Sequence, residues 1–198
     1  MARVTKRTAA AILAGTLAAS VAGGFVWSRL NGTRSSGGDS VTVRTPGVYP
    51  EPAGSIAFAP DLGGESLPAV AITDLQGNSV PVGSLVGQPL VINLWFSSCV
   101  PCAQELPAFA AVHGELGDRV RFVGIDPQDS AAKAESFAAD HGVRYELFLD
   151  RGDLVGALKI GTFPATLFVD ASGKVVKLRQ GAFDADGLRA AIEEYLPG

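Results

Sequence analysis

Hydrophobic positions along this chain follow two rhythms, one of strands and one of helices. Pro89-Leu90-Val91-Ile92-Asn93-Leu94-Trp95-Phe96 is almost continuously apolar, which a strand covered on both faces requires. Before it, short extended runs at 69–73 and 79–82 flank Asp74-Leu75-Gln76-Gly77-Asn78, a hairpin signal. After it, residues 99 to about 116 place Leu106, Phe109, Ala110 and His113 at helical spacing. Pro107 lies inside that helix and is expected to kink it. A second strand is predicted at 120–125, then a helix at 130–141 with Ser130 as cap and Gly142 as stop. An extended run at 145–149 and a short helix at 152–159 follow. A hairpin then joins 165–169 to 174–178 across Asp170-Ala171-Ser172-Gly173. The terminal helix, 184–196, is capped by Asp184 and carries Leu188, Ala191, Ile192 and Tyr195 on one face. Strands alternating with helices, closed by a hairpin and a helix, predict an α/β fold whose sheet is mixed and partly antiparallel at its edge.

A different pattern precedes this body. Arg3, Lys6 and Arg7 lead into twenty uncharged residues, 8–27, with Arg29 just beyond. That length is near the minimum that spans a bilayer as a helix. The basic flank would hold the N-terminal end in the cytoplasm and send the body outside. Phe25, Val26 and Trp27 extend the apolar character and favour an uncleaved anchor, while Ser20-Val21-Ala22 has the small-x-small form of a cleavage site. Residues 1–29 are therefore read as a signal-anchor or a signal peptide. Residues 30–60, rich in Gly, Ser, Thr and Pro, are read as a flexible linker, and 61–198 as one folded domain.

Composition agrees with that division. Of 198 residues, 47% are hydrophobic and 18% charged, enough to fill one substantial core and too apolar for a wholly disordered chain. Through Arg44 there are six Lys and Arg against the single acid Asp39, whereas from Thr45 onward ten bases face nineteen acids. An acidic body repels a phosphate backbone, so nucleic acid is not expected as a partner.

The chain's two cysteines sit together in Cys99-Val100-Pro101-Cys102, directly after the buried strand and at the start of a helix. As a structural disulfide they would close a minimal loop and add only about 2 kcal/mol. As a zinc site they supply two ligands of four; His113 and His141 are the only imidazoles, and His113 falls at the far end of the same helix. A Cu(I) module would use both thiolates, but there is no Met or third soft ligand near the motif. No metal is expected. Redox chemistry suits the placement better. At a helix N-terminus, unpaired N–H groups and the macrodipole favour an anion. Lowering a thiol pKa from about 8.5 to about 7 raises the thiolate from a few per cent to half at neutral pH. Cys99 is thus expected to be the exposed nucleophile, forming a mixed disulfide with a substrate. Cys102, one turn on, would then attack Cys99 and release the reduced product. Pro101 fits the first turn, where its missing N–H costs nothing.

The segment 91–102, Val-Ile-Asn-Leu-Trp-Phe-Ser-Ser-Cys-Val-Pro-Cys, followed by Glu105-Leu106-Pro107, resembles the active-site region of the TlpA/ResA-like thioredoxins. These are exported, often membrane-tethered thiol–disulfide oxidoreductases. The resemblance runs from about Ser66 to the C-terminus. It implies a thioredoxin fold: a central mixed β-sheet flanked by helices, with an added N-terminal hairpin and an inserted helix–strand unit at about 127–149. It also implies a cis-proline facing the cysteine pair, for which Thr162-Phe163-Pro164-Ala165-Thr166 stands at the matching place. A cis bond there would present Phe163 backbone groups to an extended substrate segment; the alternative is a trans proline opening an edge strand.

Glu105, three residues after Cys102, shares its helix face. In similar proteins a Glu here tunes the thiols or moves the proton of the second cysteine; the simpler role is a first-turn acid complementing the helix dipole. Asn93 replaces the buried acid of plain thioredoxins, leaving Glu105 as the motif's one acid for proton transfer. Trp95 is expected to pack beneath the motif. Ser98 departs from the aromatic residue the family usually carries before its first cysteine. The resemblance implies a redox-active Cys99–Cys102 disulfide with no further cofactor, protein disulfides as substrates, a membrane electron donor, and a reductant function with cytochrome c maturation as one pathway. Oxidative folding is the opposite direction of the same chemistry, and the residues alone do not choose between them.

Overall fold

The central strand forms where the sequence is most continuously apolar, and the rest of the sheet assembles on it. The computed structural model describes residues 60–198; the leader and nearly all of the linker lie outside the described residues. In chain order the elements are β1 (Ala71–Asp74), β2 (Ser79–Pro81), a 3₁₀ turn (Val82–Leu85), β3 (Leu90–Leu94), α1 (Val100–Leu116), β4 (Arg121–Asp126), α2 (Ala131–Asp140), β5 (Glu146–Leu149), α3 (Asp153–Ala157), β6 (Ala165–Val169), β7 (Val175–Gln180) and α4 (Ala185–Tyr195). The strands form one seven-stranded sheet in the order β2-β1-β5-β4-β3-β6-β7. β3, β4 and β5 run parallel, and β6 and β7 are antiparallel to their neighbours. This is the expected thioredoxin architecture. Both additions are present and they support each other: the hairpin β1–β2 attaches to the sheet through the inserted strand β5, pairing Thr73 with Leu149 and Asp74 with Phe148.

Every residue of β3 is buried, so alternate side chains feed two cores. Val91 and Trp95 join Leu106, Phe109, Val112, Ala134, Leu188 and Ile192 beneath α1, α2 and α4. Leu90, Ile92 and Leu94 join Leu85, Ile125, Leu154 and Leu167 on the other side. At roughly 1.5–3 kcal/mol for each large aliphatic side chain removed from water, these two layers oppose the chain entropy of ordering the domain.

Local signals set the ends of the elements. Ser130 Oγ accepts the Lys133 N–H and Asp184 Oδ1 the Gly187 N–H, capping α2 and α4 as expected. Gly142 takes a φ of +80° after α2, a conformation that favours glycine. Asp150 is fully buried, and its carboxylate receives the Leu154 and Val155 N–H groups, so this acid is spent on starting α3. α1 carries Pro107 on its exposed side and continues through it to Leu116. β7 runs to Gln180, beyond the expected end at 178, because Gln180 still pairs with Ala165.

Candidate active site

The buried strand β3 ends at Leu94, and the chain turns through residues 95–98 into α1. Trp95 N–H donates to Ile125 O at 3.2 Å and Cys99 N–H to Phe96 O at 3.1 Å, which brings Cys99 to the N-cap of the helix with φ −85° and ψ 103°. Its sulfur accepts the Cys102 N–H at 3.3 Å. The two cysteines are joined as a disulfide. A sulfur held this way lies where the helix offers unpaired donors and the positive end of its dipole, so a thiolate formed on reduction is favoured there.

The exposure of Cys99 differs from the expectation. It was expected to stand open to solvent, yet it keeps only 7% of its surface and Cys102 none. The order is the expected one, but Cys99 belongs to the buried core cluster against which Phe96 and Phe163 pack. Phe96 and Phe163 meet edge to face with centroids 5.3 Å apart. The open ground at the motif is Val100, 69% exposed, with Pro101 and Ser98 exposed beside it. The Phe163–Pro164 bond is cis, with Pro164 buried and Phe163 half-buried. Phe163 is thereby placed next to the turn that carries Cys99.

Behind the cysteines, α1 turns Glu105 inward to complete burial. Asn93, projecting from β3 on the face of Val91 and Trp95, donates Nδ2–H to Glu105 Oε1 at 2.7 Å. Phe183 N–H donates to Glu105 Oε2 at 3.2 Å. Tyr145 Oη–H in turn donates to Asn93 Oδ1 at 3.3 Å. Burial drives the Glu105 carboxyl up to about 8 against the pull of the Asn93 and Phe183 donors. The Tyr145 phenol is likewise pushed up, by burial and then by the Glu105 charge. Glu105 is therefore an acid that gains and loses its proton near neutral pH, one helical turn from Cys102. Asn93 is more than a strand residue satisfied in place, because its amide joins Tyr145 to Glu105.

Trp95 packs beneath the motif as expected, 5.5 Å from the Phe137 ring, with its indole N–H buried and unpaired. Gly124, opposite Asn93 on β4, leaves room for this cluster. A Cβ there would lie 2.8 Å from Leu147 Cδ2, 3.0 Å from Trp95 Nε1 and 3.1 Å from Tyr145 Cε2. His113 packs edge-on against Phe122 and Tyr145. Among the described residues no three His, Cys, Asp or Glu gather as a metal site, and no helix is long and apolar enough to cross a membrane.

Sequence reasoning missed three participants. Tyr145 read only as the start of a strand, and Phe183 acts through its backbone, which no residue type signals. The third is Asp129, whose carboxylate receives the Ser97 N–H at 2.7 Å and the Ser97 hydroxyl at 2.9 Å. Burial opposes its ionisation, but the Ser97 donors, the neighbouring Asp126 carboxyl and the Lys133 charge together outweigh that and its pKa falls. Asp126, buried at the end of β4, is held up to about 6 by desolvation, against the Asp129 and Gln128 N–H groups it accepts.

Comparison with known proteins agrees with this geometry. A model of the AhpC/TSA family matches residues 63–178. The thiol-disulfide oxidoreductase ResA of Bacillus anthracis is 24% identical over 136 residues, spanning 68% of this chain and 79% of its own. ResA of Halalkalibacterium halodurans is 25% identical over 135 residues, spanning 67% and 74%. Among solved structures, MTB dsbF superposes with a TM-score of 0.58 at 25% identity, covering 64% of this chain and 95% of that one. A secreted Mycobacterium tuberculosis disulfide oxidoreductase homologous to E. coli DsbE is alike in fold, with a TM-score of 0.58 at 24% identity, over 64% and 96%. The chain belongs to the AhpC/TSA family, and with its Cys99–Cys102 pair on a thioredoxin fold it is a thiol–disulfide oxidoreductase.

Proposed function

We propose that this protein works outside the cytoplasmic membrane, held there by its N-terminal segment, and reduces disulfides in exported proteins. Cytochrome c maturation is one pathway that the resemblance to the TlpA/ResA-like thioredoxins implies, and a membrane electron donor would return the pair to its dithiol. The observation that carries the exchange chemistry is the buried Glu105, held by Asn93 and raised to about 8 one turn beyond Cys102; the reducing direction rests on the resemblance to the TlpA/ResA-like thioredoxins. In the reduced protein the Cys99 thiolate attacks a substrate disulfide, so one substrate sulfur leaves as a thiolate and the other becomes bonded to Cys99. The ionised fraction of Glu105 takes the proton of the Cys102 thiol. The Cys102 thiolate then attacks Cys99, closing the Cys99–Cys102 disulfide and releasing the second substrate sulfur. Two electrons pass from the pair to the substrate. With the disulfide closed, a Glu105 of pKa about 8 retains that proton at pH 7, ready to return it to Cys102 on re-reduction.

Pro101, Phe163 and Pro164 form the substrate side, with exposed Val100 offering apolar contact. Phe163 backbone groups beside the cis-proline would pair with an extended substrate. Trp95 and Asn93 support the motif from below. The basic flank and apolar stretch of the leader support an anchored, extracytoplasmic location. The test is the reduction potential against a dithiothreitol or glutathione series. A value at or below about −250 mV is expected; one near about −120 mV would reverse the direction to oxidative folding.

A further inference from the structure

The turn that delivers Cys99 has its ends tied to backbone, through Trp95 to Ile125 and Cys99 to Phe96. Its middle is tied to one side chain. Asp129 lies 32 residues further along, in the loop between β4 and α2, and receives both polar hydrogens of Ser97, N–H to Oδ2 and Oγ–H to Oδ1. Asp129 is itself well held. On one side Asp126, 1% exposed, accepts the Gln128 N–H at 2.8 Å and the Asp129 N–H at 2.9 Å through a single oxygen. On the other side Ser130 caps α2. A strand end and a capped helix start thus hold the Asp129 backbone from which the carboxylate reaches Ser97.

Ser97 stands two residues before Cys99, so its place decides where the helix cap begins. The Cys102 N–H reaches the Cys99 sulfur at 3.3 Å because residue 99 is extended at that cap. We propose that Asp129 is a positioning residue of the exchange site, gripping Ser97 so that the Cys99 sulfur is held against the N–H donor of the helix. It acts through its two hydrogen bonds and not through its charge, since a nearby anion on its own would disfavour a Cys99 thiolate. The inference rests on Cys99 being the attacking thiol.

Two substitutions separate grip from charge. Asp129→Ala removes both acceptors. Asp129→Asn removes the charge but keeps both contacts: its carbonyl accepts the Ser97 N–H, and its NH₂ donates to the Ser97 hydroxyl oxygen. Iodoacetamide alkylation of Cys99 in the reduced full-length protein, followed by peptide mass mapping between about pH 5 and pH 9, reads the thiolate. The Ala variant is expected to alkylate about three- to tenfold more slowly at pH 7, with its titration moved upward, and the Asn variant within about twofold of the parent. An Ala variant equal to the parent, or Ala and Asn variants changed alike, would overturn the proposal. Should the Ala variant not fold, Ser97→Ala takes its place: about two- to threefold slowing supports the grip and an unchanged rate refutes it. A parent whose Cys99 reacts no faster than an ordinary buried thiol would overturn the nucleophile reading and this proposal together. A fast parent with unresponsive variants overturns only the proposal.

Discussion

Glu105→Gln tests the buried acid most sharply. In the folded oxidised protein the carboxyl titrates at about 8, against an ordinary value of 4.5. Between those pH values the native state holds a proton that the unfolded chain has released. The group's contribution is therefore fully present below about pH 4.5, declines as pH rises, and is exhausted above about pH 8. A shift of this size corresponds to about 5 kcal/mol at about 1.4 kcal/mol per unit, and water entering around an ionised Glu105 reduces it to roughly 2–5 kcal/mol in measurement. Glutamine does not titrate. It also fits the network: its carbonyl accepts the Phe183 N–H, its NH₂ donates to a flipped Asn93, and the Tyr145 oxygen accepts from the Asn93 amide. Urea unfolding of the oxidised parent and variant, in unit steps between about pH 5 and pH 9, should show the variant gaining on the parent as pH rises. Curves that stay parallel across that range would refute the placement of a high-pKa carboxyl at residue 105.

Two substitutions probe the packing around the network. Gly124→Ala drives a methyl into Leu147, Trp95 and Tyr145 and is expected to cost about 1–3 kcal/mol in urea unfolding; an unchanged midpoint would contradict the crowding. Tyr145→Phe removes the donor to Asn93 Oδ1, with an expected loss of about 0.5–1.5 kcal/mol, and no loss would mean that this bond contributes nothing.

Where the determinants were local, the sequence could be read directly. The run at 90–94, apolar but for Asn93 and buried throughout, became the central strand. The Cys-x-x-Cys pair sits at the helix start that its Pro101 suits, and three-residue spacing put Glu105 on the face of Cys102. Asn93 and Glu105 could each be singled out, but their bond could not, because it joins a strand to a helix across the core. Tyr145 reaches Asn93 from 52 residues away, and Asp129 reaches Ser97 from 32; no periodicity encodes such meetings. The burial of Cys99 was misjudged for the same reason. A helix cap by itself is open to solvent, and only the fold brings Phe163 over to Phe96 beside it.

The central claim, that Cys99 exchanges disulfides and Cys102 resolves them, is tested most directly by mass spectrometry of two single variants mixed with oxidised glutathione. Reduced Cys102→Ser should accumulate one glutathione, mapped to Cys99, within the time the parent takes to oxidise. Reduced Cys99→Ser, left with a thiol of no exposed surface, should remain unmodified. Equal adduct formation on the two variants, or none on Cys102→Ser, would contradict the account.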